Sequence, residues 1–221
     1  MRSGGVGMPM VLVMALAMGL GSVGVARADP CCGPITPAGE RLARFLDGTG
    51  VDHRWLAGHH VDWLTGVATL GTRAKATHCS AFVAAAADRL GVYVLRPPDH
   101  SEDLLANAQL RWLRDPPAGS GWRSLPDPVA AQAAANRGDL VLEAFENPNP
   151  HRPGHIAIVR PSEQSRTDLD RDGPRETQAG ETNALDTFTA LGFRHHRGAW
   201  VPGGQGGIRY YAHTIDWALL P

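Results

Sequence analysis

The sequence predicts an α+β domain, with N-terminal helices and a cysteine-bearing helix packed on an antiparallel β-sheet. Apolar residues at helical spacing are confined to the first half of the chain, ending near Arg114. Short apolar runs bounded by Gly and Pro, notably 138–145 and 155–160, are confined to the second half. No internal repeat or low-complexity tract divides the chain, so residues 29–221 read as a single domain.

Residues 1–28 precede that domain. A basic Arg2, an apolar run from Met8 and small residues at Ala26 and Ala28 describe a secretory signal peptide cleaved after Ala28. The expected location is therefore secreted or periplasmic, without a membrane anchor after cleavage.

The elements follow in order. Thr36-Pro37 ahead of Glu40–Leu46 reads as a capped helix with Gly48 near its end. Residues 55–70 read as an interrupted helix. Thr77 to Gly91 is the strongest helix, with Thr77 as cap, Phe82, Val83, Ala86 and Leu90 on one face, and Gly91 as the stop. A further helix is expected over Ser101–Arg114, capped by Ser101, followed by a surface loop over 115–128. Strands are expected at 138–145, 155–160, 175–180 and 207–215, with a turn-rich connector over 147–154.

Charge excludes one class of partner. The chain has 21 Lys and Arg; the leader takes Arg2 and Arg27, leaving 19 against 22 Asp and Glu. Such a balance leaves no basic footprint for nucleic acid or anionic membrane.

Three cysteines are present. Cys31 and Cys32 are adjacent and could bridge each other, pair with another molecule or stay reduced. Cys79 stands apart at the start of its helix. Backbone N–H groups there favour a thiolate and could receive the oxyanion of a tetrahedral intermediate, through Cys79 and Ser80. The competing reading is a buried structural thiol. His155 opens an apolar strand directly after Gly154, where a base for that thiol could stand. A hydrogen-bonded core histidine is its competing reading. Alternation along the strand divides His155, Ala157 and Val159 from Ile156 and Ile158, with both sets apolar enough to be buried.

Thr77-His-Cys79-Ser-Ala-Phe-Val, Gly138-Asp-Leu-Val and Gly154-His155-Ile-Ala-Ile-Val together resemble the papain-like cell-wall amidases and endopeptidases of the CHAP and NlpC type. The resemblance spans roughly residues 75–185. It implies Cys79 as nucleophile and His155 as base. A third residue from the next strand would orient the imidazole, with Gln178 favoured and Asn183 or Glu181 as alternatives. The implied activity is cleavage of an amide in peptidoglycan, within the stem peptide or between peptide and sugar, without a cofactor or metal. Peptidoglycan or a peptide is the implied partner, and a protein inhibitor is neither indicated nor excluded. A transglutaminase-like acyltransferase and a non-catalytic wall-binding module on the same fold are the alternatives.

Two further patterns point to metals. Asp168-Leu-Asp170-Arg-Asp172-Gly173 has the opening spacing of a calcium loop, but Ala179 stands where the bidentate Glu belongs, so a solvated acidic turn is the expectation. The pairs His59-His60 and His195-His196 lack helical i, i+4 ligand spacing for zinc.

Overall fold

The computed structural model describes residues 1, 4, 5, 30–69, 76–204 and 206–220. The apolar part of the expected signal peptide, and its cleavage point after Ala28, lie outside these. Along the described chain run α1 (Pro37–Asp47), α2 (Cys79–Arg89), α3 (Leu105–Arg114), β1 (Arg123–Leu125), α4 (Pro128–Asn136), β2 (Leu140–Phe145) and β3 (His155–Val159). They are followed by α5 (Arg166–Asp172), β4 (Arg175–Gln178), β5 (Ala184–Phe188), α6 (Thr189–Gly192) and β6 (Arg209–His213). The strands form one antiparallel sheet in the order β1-β6-β2-β3-β4-β5. The class is α+β, with six helices and a six-stranded antiparallel sheet among the described residues.

The sheet is buried on both faces. Leu140, Leu142, Ala144, Ile156 and Ile158 join a core with α1, α2 and α3. Val141, Phe145, Ala157 and Val159 join a second core with Ala131, Ala134 and Ala135 of α4 and with Phe193. Every residue of β3 is buried, as its apolar composition on both alternating sets implies. Removing a side chain such as Phe82 from the first core costs about 3–5 kcal/mol by the usual cavity arithmetic.

Local chemistry explains the helix ends. Thr36 Oγ1 accepts the Gly39 N–H and Pro37 occupies the first turn of α1. Three expectations about helices are corrected. Thr77 does not cap α2: the cap position is His78, which makes no side-chain cap bond and gives its Nε2–H to the His59 carbonyl instead. Ser101 does not cap α3, which begins four residues later after Leu104, whose φ is +53°. Residues 55–69 are not helical. Trp55, Gly58 and Gly66 all take positive φ there, and an isolated bridge pairs Val61 with Ala68. Gly66 lies so close to the Trp55 indole that a Cβ would sit 2.3 Å from it. The segment wraps Trp55, which is buried edge-on against Phe82.

The expected loop over 115–128 contains β1 and ends at the start of α4, where Asp127 accepts the Ala130 N–H and Pro128 opens the helix. The acidic segment near 168 is the short helix α5 rather than a turn. Ser165 caps it, and Asp168, Asp170 and Asp172 face Arg166 and Arg171. Their carboxylates are thereby occupied by guanidinium groups instead of converging on one point. No helix among the described residues is long and apolar enough to cross a membrane.

Candidate active site

Cys79 and His155 are placed by adjoining elements. α2 packs on β3, which puts Cys79, the first residue of the helix, beside the start of the strand. The backbone N–H groups of Ile156, the residue after His155, of Ser80 and of Cys79 itself lie near its thiol and favour the thiolate. Because His78 supplies no side-chain cap, the first N–H groups of α2 stay free of the usual capping oxygen.

Glycine sets the other side. A Cβ at Gly154 would lie 2.0 Å from the Phe145 carbonyl oxygen and 2.5 Å from Asn107 Oδ1. Only glycine allows β2 and the start of β3 to close this tightly, which gives the Gly154-His155 pair a steric cause.

His155 is held from three directions. Its Nε2 lies 2.7 Å from Gln178 Oε1, and Gln178 Nε2 donates to the Thr182 carbonyl at 3.0 Å. The second bond orients the amide, so its oxygen faces the imidazole and Nε2 must carry the proton. Nδ1 is then the basic nitrogen, and it has no hydrogen-bond partner among the described residues. The Phe193 ring meets the imidazole edge-on at 4.6 Å, and the His196 ring stacks on it at 5.3 Å with an interplanar angle of 12°.

Of the three residues weighed as imidazole partner, Gln178 alone bonds His155. Asn183 instead donates to the carbonyls of Val51 and Arg54 and accepts the Gly180 N–H, tying the strand-end turn to the loop after α1. Glu181 is exposed and lies 3.4 Å from His195 Nε2. Phe193 was not singled out in the sequence, and His196 only as half of a pair weighed for zinc. The adjacent pair His195-His196 was visible, but nothing local shows which ring reaches His155.

Cys79 and His155 are each 4% exposed, and burial dominates their protonation. It pushes the Cys79 thiol up, against the opposing pull of the three backbone N–H groups. The sequence expectation of a lowered thiol pKa is reversed, because desolvation outweighs the helix terminus. Burial, followed by repulsion from His196, brings His155 down to about 3, with the Gln178 bond opposing. The resting pair is therefore a neutral thiol and a neutral imidazole.

Two cavities meet here. One of about 640 Å³ is lined by Cys79, Ser80, Glu102, Asp103 and His151, among others. One of about 180 Å³ is lined by His155, Gln178, Glu181, Arg194 and His196, among others. Thr77 and Pro153 line both and form the ridge between them. No hydrogen bond joins the thiol to the imidazole among the described residues. Cys31 and Cys32 are bonded to each other and Cys79 is the free thiol. Among the described residues, no three of His, Cys, Asp and Glu form a metal-binding group.

No protein-family model matches the chain, and no curated protein matches it at a significant level.

Proposed function

We propose that the protein is an exported, papain-like cysteine hydrolase that cuts an amide bond in peptidoglycan. The observation that carries this reading is the amide–imidazole pair: Gln178 Oε1 takes the Nε2–H of His155 at 2.7 Å. It leaves Nδ1 without a hydrogen-bond partner among the described residues, at the start of a strand whose second residue has its backbone N–H near the Cys79 thiol.

In this reading His155 Nδ1 takes the thiol proton as substrate enters and the thiolate attacks the amide carbonyl. The N–H groups of Cys79 and Ser80 receive the oxyanion. Collapse breaks the C–N bond while His155 returns the proton to the leaving amine. Water, deprotonated by His155, then hydrolyses the thioester and restores the thiol. Gln178 keeps the ring in the required tautomer, and as a neutral amide stabilises imidazolium less than a carboxylate would. A neutral resting pair makes proton transfer part of substrate capture, and the gap between thiol and ring is one that substrate binding would close, as in many unliganded enzymes.

The test is mass spectrometry of peptidoglycan fragments incubated with wild type, Cys79→Ala and His155→Ala. The reading expects new amide-cleavage products from wild type only, and cleavage by intact Cys79→Ala protein would refute it. A wall-binding module is the second reading, favoured by the raised thiol pKa and the missing thiol–imidazole bond. Wall binding without products from wild type would support it.

A further inference from the structure

A second imidazole stands over His155. The His196 ring lies 5.3 Å from it at an interplanar angle of 12°, a parallel stack, and both residues line the same cavity. Packing puts His196 there, since its ring also meets Phe145 at 5.9 Å and Phe193 at 6.4 Å. The backbone fixes the segment as well: the His196 N–H donates to the Phe193 carbonyl at 2.8 Å, and its carbonyl accepts the Ala199 N–H at 2.9 Å. Neither ring nitrogen of His196 has a hydrogen-bond partner among the described residues, so any aromatic ring could make these contacts. What an imidazole adds at this place is the capacity to take a charge.

His155 is held on its other sides by groups that carry no charge. Gln178 Oε1 takes its Nε2–H at 2.7 Å, the Phe193 ring meets it at 4.6 Å, and a Cβ at Gly180 would lie 3.3 Å from its Cε1. His196 is half-buried where His155 is buried, so solvent protons reach His196 first as pH falls. Burial, and then His195, keep His196 below the usual imidazole range. His155 is brought down to about 3, by burial first and by His196 next. Two imidazoles this close titrate as a coupled pair, and away from water the first charge opposes the second.

Among the described residues, the other charged or titratable groups around the stack are Arg194, His195 and Arg197 on its own segment, Glu181 on the turn between β4 and β5, and Cys79 across the ridge. Glu181 is engaged with His195 at 3.4 Å. From the sheet, β2 presents Phe145 to the His196 ring, while Glu176 packs against Gly192 near Gln178, with Glu143 beside it.

On the hydrolase reading above, we infer that His196 is a positioning residue for His155. While neutral, its stacked ring holds the plane of the imidazole. Once protonated, it stops His155 Nδ1 from accepting the Cys79 proton. The acid limit of thiol activation therefore belongs to His196 and not to His155 itself.

Methyl methanethiosulfonate reads this directly. It forms a mixed disulfide with Cys79 and releases methanesulfinate, while the thiol proton passes to His155 and on to solvent. Rates are measured on the exported chain from pH 7 down to pH 4.5, with Cys79 located by peptide mass spectrometry and the fold checked by circular dichroism at each pH. The wild-type rate is expected to fall by about ten-fold over that range, because it follows the neutral fraction of His196. His196→Phe keeps a ring without the charge and should hold its rate within about two-fold. His196→Gln, with neither ring nor charge, should show the same level profile but run several-fold slower than wild type at pH 7. It carries the pH test should the Phe variant not fold. His195→Gln, which removes the neighbouring imidazole, should keep the wild-type fall. A level wild-type profile, a fall that persists without His196, or a His196→Gln rate at pH 7 equal to that of wild type overturns the inference. His155→Ala separates the two readings. If its rate at pH 7 drops below wild type while the His196 tests fail, only this inference fails. If Cys79 ignores the reagent, or reacts equally fast without His155, the hydrolase reading fails and takes this inference with it.

Discussion

The two faces of the sheet are built to different standards. On the helix side, Leu140, Leu142, Ala144, Ile156 and Ile158 meet α1, α2 and α3 in a nearly wholly apolar core. On the opposite face the same strands carry Glu143, Glu176, Gln178, His155 and Tyr210, all buried. Several atoms there lack a hydrogen-bond partner: Glu143 Oε1, both Glu176 oxygens and Tyr210 Oη. Thr189 Oγ1 donates to Glu143 Oε2 at 2.8 Å, one of the few bonds the pair receives. Burial raises both carboxyls, Glu143 to about 7 and Glu176 further, each felt by the other. One face supplies stability and the helix that bears Cys79. The other bears the cost of holding polar groups out of water, and His155 and Gln178 belong to it.

Predictions that probe this contrast run from large to small. Phe82→Ala, in the apolar core under α2, should lower unfolding free energy by about 3–5 kcal/mol in urea titrations. An effect below about 1 kcal/mol would mean that this face is not the main source of stability. The polar face should show itself in pH. Glu143 has a folded pKa raised above its unfolded value, so its contribution is fully present below about 4.5 and is lost as pH rises through about 7. The share carried by Glu143, read as the difference between wild type and Glu143→Gln, should decline over that interval by up to roughly 3 kcal/mol, taking 1.36 kcal/mol per unit; buried neutral His155, with a folded pKa of about 3, pulls the wild-type profile the other way below about 6.5. A difference between wild type and Glu143→Gln that does not fall from pH 5 to 8 would contradict a protonated Glu143.

Gln178→Ala should cost about 1 kcal/mol of stability through its lost hydrogen bonds. Its larger effect should be on chemistry, with Cys79 reactivity at pH 7 falling several-fold while Gln178→Glu retains more. Equal reactivity in all three proteins would remove Gln178 from the site. Smallest of all is Arg166→Ala on α5, where an exposed i, i+4 pair with Asp170 should be worth about 0.3–0.5 kcal/mol.

The contrast also explains which parts were readable in the sequence. Strand β3 and helix α2 were legible because apolar residues dominate each and glycine bounds them at Gly154 and Gly91. Helix α4 was not, since Ala130 to Ala135 contain no large apolar residue to show a period; Asp127-Pro128 was the available signal. Residues 55–69 misled because Leu56, Trp63 and Val67 fall at helical spacing, while the deciding facts are the positive φ angles at Trp55, Gly58 and Gly66. Strand β5 and helix α6, with Ala184 to Gly192 between them, went unread. On the polar face, Gln178 could be picked out on the strand after the histidine. Glu143 and Glu176 could not, because an isolated Glu in a strand ordinarily marks a solvent face, and only the third layer made by α4, α6 and Phe193 buries them. The direction of the thiol shift was also hidden, since it depends on burial that the helix start alone does not reveal.

The central claim, that a base from the polar face serves a thiol from the apolar one, is tested most directly by the rate at which a neutral methanethiosulfonate modifies Cys79 at pH 7. Wild type is compared with His155→Ala, with both folds checked by circular dichroism. The account predicts a rate at least ten-fold lower in the folded variant, because a buried thiol with a raised pKa needs Nδ1 to take its proton. An unchanged rate would contradict it and leave Cys79 as a core thiol.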